Sequence, residues 1–194
     1  MLNQKPKSKR LIIILTALII CAAALLIFYV HDTSQIGKEL DSYKCVPVYY
    51  NGVIFTQSHG QNYGDDGYYF GYKWQCVEYV KRFYKLAKGH AMPDTHGNAK
   101  DFFGTSVGQG ELNASRGLYQ YKNGGGAAPQ PDDLIVFNDT KYGHVAIVTA
   151  VTDSYVEIIQ QNVRGKTRAQ LPLRVDNGNY YVGDKRQPAG WLRL

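Results

Sequence analysis

An uninterrupted apolar run over residues 11–30 constrains the fold of this chain most, because it separates a membrane segment from everything that follows. A helix needs about 20 apolar residues to cross a bilayer, so we expect residues 11–30 to be a transmembrane anchor. The basic tail at residues 1–10 predicts a cytoplasmic N-terminus and an exported remainder. A cleaved signal peptide is the alternative, but more apolar residues follow the small ones after Cys21, which favours an uncleaved anchor.

The charge balance of the chain argues against a nucleic-acid partner. Lys and Arg number 22 against 16 Asp and Glu, a net charge of +6, and four of these cations lie in the basic tail. The rest of the chain is nearly neutral and lacks the positive field that polyanion binding needs. We expect a polar linker at residues 31–45 and one domain at residues 46–194. Its helical segments precede its strands, which is typical of an α+β fold.

Cys76 stands where a loop rich in Gly and Tyr changes into the clearest helical pattern of the chain, residues 75–88, which ends at Gly89. A helix N-terminus lowers the pKa of a cysteine, and the thiolate is the nucleophilic form. The position is therefore typical of a nucleophile, although a small buried hydrophobic residue fits the same apolar stripe. The face expected to be solvated carries Glu78, Lys81, Arg82 and Lys85.

A histidine at the start of an apolar strand, His144, is the candidate base. Residues 144–152 and 155–162 predict an antiparallel hairpin. Since side chains alternate along a strand, we expect Ala146 and Val148 to share the face of His144 and to pack on the cysteine helix.

The second strand of this hairpin ends in three amides, and its register decides which of them lies beside the imidazole. One register brings Gln160 and Asn162 to His144, and the other brings Gln161. An amide oxygen can accept the ring N–H and fix the tautomer, as the third group of a catalytic triad does.

The two residues before Cys76 are candidates for substrate binding. The Gln75 side chain can donate to an oxyanion, but the backbone N–H of Cys76 is the preferred donor, and Trp74 can line the site. A disulfide between Cys45 and Cys76 is a minor alternative in an exported domain and would block the nucleophile. The histidines and acids lack metal-ligand spacing, so we expect neither a metal nor another cofactor.

Three segments together resemble the CHAP domains, the cysteine, histidine-dependent amidohydrolases/peptidases, and locally the glutathionylspermidine amidases. They are Trp-Gln-Cys-Val-Glu at residues 74–78, Gly-His-Val-Ala-Ile at 143–147 and Gln-Asn at 161–162. The resemblance implies a papain-like α+β fold, in which a cysteine-bearing helix packs on an antiparallel sheet. It also implies Cys76 as nucleophile and His144 as base. The family commonly has an acid where this chain has Gln160, so Asn162 is the alternative orienting residue.

The resemblance and the anchor together imply a single-pass protein of the bacterial cytoplasmic membrane that hydrolyses amide bonds of peptidoglycan outside the cell. A small amide such as glutathionylspermidine is the alternative substrate. A third alternative is a weak or inactive wall-binding module, because Gln160 carries no charge. The sequence does not indicate the oligomeric state.

Overall fold

A computed structural model describes residues 7–194 as two compact units, one up to Ile36 and one from Gly37 onward. The first unit is helix α1 (Lys7–Gln35), whose side chains are exposed over residues 11–30. Its most apolar 18 residues have a mean hydropathy of 3.2, so this helix is long and apolar enough to cross a membrane, as is a signal sequence at the same position. The expected basic tail lies outside the described residues up to position 6.

The second unit combines antiparallel sheets with helix α2 (Cys76–Lys88) and a short 3₁₀ helix at Ala99–Phe102, which confirms the expected α+β fold. Within the described residues, the main sheet has eight strands in the order β11-β10-β9-β8-β7-β12-β6-β5, and two small sheets pair β1 with β2 and β3 with β4. The strands are β1 (Glu39–Tyr43), β2 (Val46–Tyr49), β3 (Gln61–Tyr63), β4 (Tyr69–Tyr72), β5 (Glu111–Asn113), β6 (Leu118–Lys122), β7 (Leu134–Phe137), β8 (His144–Val151), β9 (Tyr155–Ile159), β10 (Arg168–Asp176), β11 (Asn179–Val182) and β12 (Gly190–Arg193).

Helix α2 packs on the main sheet through the odd-numbered residues of β8. Val145 and Ile147 belong to the same apolar core as Cys76, whereas Ala146 and Val148 belong to a second core on the opposite face. The prediction that Ala146 and Val148 pack on the cysteine helix is therefore wrong. Both faces of β8 are buried, so small apolar residues on one face do not indicate which face packs on α2.

The ends of α2 match the predicted helix to within one residue. Gln75 is the N-cap residue, and Gly89 ends the helix in the left-handed conformation with φ +65°.

The solvated face predicted for α2 is mostly buried, which corrects that expectation. Glu78, Lys81 and Arg82 are all buried. Glu78 and Arg82, four positions apart, form an ion pair with Arg82 Nε 2.6 Å from Glu78 Oε1, and this pair lies in the interior. Lys81 Nζ donates to the carbonyl oxygens of Tyr69 and Thr95 at 2.7 Å each. Partners from distant segments thus compensate for the burial of these groups, and a helical pattern does not reveal them.

A β-bulge in the hairpin of β8 and β9 settles the register that the sequence leaves open. Val151 pairs with Val156 near the turn, but beyond the bulge Ile147 pairs with Ile159, which is a shift of one residue. The shift brings the side chain of Gln160, rather than that of Gln161, to the face of His144.

The structure also differs from the sequence-based expectation at segments predicted to be irregular. In the expected linker at residues 31–45, α1 continues through Gln35 and β1 then pairs with β2. Residues 57–71 are rich in Gly, Asn, Asp and Tyr, which predicts a loop, but they contain β3 and most of β4. Residues 91–126, which the sequence predicts to be irregular, contain β5 and β6. These strands have only three to five residues, too few for a clear periodic signal.

Candidate active site

Cys76 is the first residue of α2 and is buried, with 9% of its surface exposed. Burial raises the pKa of its thiol, although the backbone N–H groups of Val145, Val77 and Cys76 itself act in the opposite direction. The net direction differs from the sequence-based expectation, because the helix terminus does not offset the loss of water around the sulfur. The resting residue is therefore a neutral thiol at neutral pH.

His144 is also buried, and its Nε2 lies 2.9 Å from Gln160 Oε1. Burial lowers the pKa of His144 to about 4, while the hydrogen bond to Gln160 raises it by less. The candidate base is thus a neutral imidazole above about pH 5. The other amide atom of Gln160, Nε2, donates to the carbonyl oxygen of Lys166 at 3.3 Å, which orients the amide oxygen toward the ring. His144 therefore carries its proton on Nε2, and Nδ1 is the basic nitrogen.

Gly143 fixes the turn that presents His144. It has φ +73°, and a Cβ atom at this position would lie 2.5 Å from the backbone nitrogen of Lys100 and 2.6 Å from the carbonyl oxygen of Phe137. A second chain segment approaches this glycine closely at Lys100. Lys100 donates its backbone N–H to the carbonyl oxygen of Tyr142 at 3.1 Å.

The amide of Gln161 faces the first turn of α2 instead of His144. Its Nε2 donates to Glu78 Oε2 at 2.7 Å and to the Gln75 carbonyl oxygen at 3.0 Å, and its Oε1 accepts from the backbone N–H of Tyr49 at 2.7 Å. Asn62 adds a further donor to Glu78, at 2.7 Å. This network joins the first turn of α2 to the segment that follows β9.

Asn162, the alternative orienting residue, makes its hydrogen bonds elsewhere. Its Nδ2 donates to Gln75 Oε1 at 2.6 Å and to the Phe55 carbonyl oxygen at 2.8 Å. Its Oδ1 accepts from Asn51 Nδ2 at 2.8 Å. The structure thus places Gln160 against the imidazole and Asn162 against the segment that precedes Cys76.

The side chain of Gln75 is already engaged as a donor. Its Nε2 donates to the carbonyl oxygens of Phe55 and Gln57 at 3.2 and 2.8 Å, so both amide hydrogens are in use. The backbone N–H of Cys76 therefore remains the preferred oxyanion donor. Trp74 packs its ring on Tyr49, with centroids 4.2 Å apart, and is not among the residues that line the groove.

Cys76 and His144 both line one groove of about 990 Å³. One side carries three aromatic residues, Tyr69, Tyr72 and His96, which we call the aromatic wall. The ring centroid of Tyr69 lies 6.0 Å from that of His96 and 6.4 Å from that of Tyr72. Aromatic and polar side chains together can bind a substrate that has both apolar and polar groups.

An ion pair close to His144 was not predicted from the sequence. Arg186 donates to both carboxylate oxygens of Asp139 at 2.9 Å, with its guanidinium 4.6 Å from the ring centroid of Phe137. The Arg186 charge contributes to the lowered pKa of His144, and that of Asp139 opposes it. The two residues are 47 positions apart, so only the fold reveals the pair.

Two further expectations concern cysteines and metals. Cys45 is exposed and Cys76 is buried, and both are free thiols, so the minor alternative of a disulfide between them is wrong. No three His, Cys, Asp or Glu residues within the described part of the chain come together as metal ligands.

Comparison with known proteins identifies the family. The CHAP domain matches residues 67–162, which include Cys76, His144 and Gln160. Trypanothione synthetase from Crithidia fasciculata is 33% identical over 147 residues, covering 69% of this chain and 22% of that protein. Bifunctional glutathionylspermidine synthetase/amidase from Escherichia coli (strain K12) is 34% identical over 149 residues, covering 68% of this chain and 23% of that protein. The chain thus spans less than a quarter of the length of these relatives. Through residues 67–162, the chain belongs to the CHAP domain family.

Proposed function

We propose that this chain is a membrane-anchored cysteine amidase or peptidase, with Cys76 as nucleophile and His144 as general base. CHAP domains indicate amidase or peptidase activity, and the single observation that carries the proposal is the shared groove of a thiol and an imidazole. The hydrogen bond from His144 to Gln160 supports it further, because it leaves Nδ1 free to take a proton.

The reaction begins from a neutral pair. As the sulfur of Cys76 attacks the amide carbonyl carbon, the thiol proton moves to Nδ1 of His144. The backbone N–H of Cys76 stabilises the oxyanion. His144 then gives the proton to the leaving nitrogen, the C–N bond breaks, and a thioester remains. Water attacks the thioester while His144 accepts a proton from it, and the C–S bond breaks to release the acid and restore the thiol.

The proposed substrate is an amide of peptidoglycan. Helix α1 supports membrane anchoring, and its basic flank supports an exported domain. The abundant amide polymer outside a bacterial cytoplasmic membrane is the cell wall. The aromatic wall and the polar side chains of the groove suit a substrate that combines peptide with sugar.

A small amide is the second candidate, because one relative is named as a glutathionylspermidine synthetase/amidase. The charges of the groove disfavour a substrate that contains spermidine. Among the described residues that line the groove, Lys141 is a cation and none is a carboxylate. The cationic amines of a spermidine leaving group would therefore lack counter-charges.

Two substrates decide between these candidates. The full chain in detergent micelles is incubated under reducing conditions with purified sacculi or with glutathionylspermidine, and new amines are measured by mass spectrometry. We expect release from sacculi by the wild type and by Cys45→Ser, which removes an exposed thiol, but not by Cys76→Ala. Release of spermidine with intact sacculi would select the second candidate. Sacculus binding without turnover, unchanged in Cys76→Ala, would indicate an inactive binding module.

A further inference from the structure

A loop that lines the groove accepts hydrogen bonds from three amide side chains, those of Asn51, Gln75 and Asn162. The loop, residues 52–58, is here called the flap, and its members Phe55, Thr56 and Ser58 line the groove. The Phe55 carbonyl oxygen accepts from Asn162 Nδ2 at 2.8 Å and from Gln75 Nε2 at 3.2 Å. Asn51 Nδ2 adds longer bonds to the carbonyl oxygens of Phe55 and Gln57, at 3.4 and 3.5 Å, so Asn162 and Gln75 supply the shorter bonds that hold the flap.

The flap exposes large apolar side chains. Ile54 and Phe55 are 50% and 51% exposed. Hydrophobic packing therefore stabilises these side chains little, and the hydrogen bonds to the flap carbonyls carry more of its anchoring. Phe55 faces the same groove as Cys76, so an apolar group entering the groove can cover its ring.

The backbone of Asn162 supports a dedicated role for its side chain. It lies in the left-handed region with φ +68°, which asparagine tolerates better than most residues. Asn162 Nδ2 spans Gln75 Oε1 and the Phe55 carbonyl oxygen, while Asn51 Nδ2 donates to Asn162 Oδ1. Each of these bonds joins Asn162 to the flap or to Gln75 and Asn51, which themselves donate to the flap. None of them joins Asn162 to the imidazole of His144.

We propose that Asn162 is a positioning residue that holds the flap so that Phe55 binds an apolar group of the substrate beside the amide attacked by Cys76. This rests on the proposed function for its substrate. It assigns to Asn162 a role in substrate binding and leaves the orientation of His144 to Gln160 alone.

The kinetic test uses Asn162→Gly, because glycine accepts the left-handed backbone while losing the amide. In the full chain in detergent micelles, with soluble muropeptides as substrate, we expect KM to rise about tenfold with kcat changed less than about twofold. The acid limb of the pH profile stays in place. Gln160→Ala is the contrast and should lower kcat and move that limb. An Asn162→Gly variant that behaves like Gln160→Ala would overturn the proposal.

Two substitutions in the flap make the test independent of how well Asn162→Gly folds. Phe55→Ala should raise KM by a similar factor, and the double variant with Asn162→Gly should be no worse than either single one, since both lose the same contact. Ile54→Ala is the matched control, because Ile54 is equally exposed but does not line the groove, and its KM should not change. Equal effects of Phe55→Ala and Ile54→Ala would contradict the assignment of Phe55.

Hydrogen–deuterium exchange separates this proposal from the proposed function. Asn162→Gly should speed amide exchange in residues 53–58, whereas Ile54→Ala should not, and neither measurement needs turnover. Faster exchange in a chain that hydrolyses no tested amide would support the positioning role and reject only the function. Unchanged exchange in Asn162→Gly would reject the positioning role even in an active enzyme.

Discussion

His144 Nε2 and Gln160 Oε1 lie 2.9 Å apart, so the hydrogen-bond partner of the candidate base is an uncharged amide. The amide fixes the tautomer of the ring but adds no negative charge to stabilise an imidazolium. With the pKa of His144 lowered to about 4 by burial, the histidine stays neutral and the buried thiol stays protonated. Catalysis from this state requires proton transfer during attack rather than a preformed ion pair.

Replacing the amide by a carboxylate tests this relationship. In Gln160→Glu, the new charge beside His144 should raise the pKa of the imidazole by about 1–3 pH units. Activity requires the neutral base, and it is lost as pH falls through the pKa of His144. The acid limb of kcat/KM should therefore move from near pH 4 to higher pH. The measurement is the pH dependence of kcat/KM.

Gln170→Glu is the control, because it adds the same charge at an exposed position of β10. It should leave the acid limb where it is. An unmoved limb in Gln160→Glu as well would show that the titrating group is not His144.

The reactivity of Cys76 toward alkylation should depend steeply on pH. The raised pKa leaves little thiolate at pH 6, so reaction with iodoacetamide should be slow there and accelerate about tenfold per pH unit up to alkaline pH. The rate is followed by mass spectrometry in a chain with Cys21→Ser and Cys45→Ser, where Cys76 is the one remaining thiol.

A different pH dependence would indicate another resting state of the site. A rapid rate that does not change between pH 5 and 8 would mean that Cys76 is a thiolate paired with a protonated His144. His144→Ala separates the two states further, since it should slow alkylation strongly only if such an ion pair exists.

Local patterns in the sequence predict the elements that carry the candidate catalytic residues. The helix that starts at Cys76 follows from its apolar stripe and from Gly89, and the hairpin that starts at His144 follows from two β-rich runs. The hydrogen-bond partner of the His144 ring could not be predicted, because the β-bulge between Val148 and Ala150 changes the register within the strand. Only the packed sheet shows that Gln160 faces the ring.

The burial of Glu78 also could not be predicted from a local sequence pattern. Its place among charged residues of α2 predicts a solvated face, yet its partners Asn62 and Gln161 come from segments 16 and 83 positions away. A pattern within one helix carries no information on such partners. The flap is missed for a similar reason, since its anchors Gln75 and Asn162 are far from it in sequence.

Removing the buried carboxylate should destabilise the domain strongly. Glu78→Ala leaves the buried Arg82 without its 2.6 Å partner, and breaking a buried ion pair costs about 3–5 kcal/mol of the free energy of unfolding. The measurement is denaturant unfolding followed by tryptophan fluorescence. Lys85→Ala on the same helix removes a partly exposed pair with Asp66, and it should change the free energy of unfolding much less. Similar losses in the two variants would mean that burial of Glu78 does not decide its contribution.

A methyl group at Gly143 should damage the site more than the fold. Gly143→Ala places a Cβ atom 2.5 Å from the backbone nitrogen of Lys100, so the turn before His144 must shift. Displacement of a base by about 1 Å can cost about 100-fold in rate, and we expect a loss of that order in kcat. Turnover and thermal unfolding are measured on the same preparations.

Gly178→Ala distinguishes the steric effect from the conformational one. Gly178 has φ +78°, close to the +73° of Gly143, but a Cβ atom there would meet no heavy atom within 4 Å. Both variants suffer the strain of a left-handed alanine, about 1–2 kcal/mol, whereas only Gly143→Ala adds the clash beside His144. We therefore expect Gly178→Ala to lower the melting temperature while keeping kcat. If Gly143→Ala also keeps kcat, then the turn does not position the base, and His144 must be held by its bond to Gln160 alone.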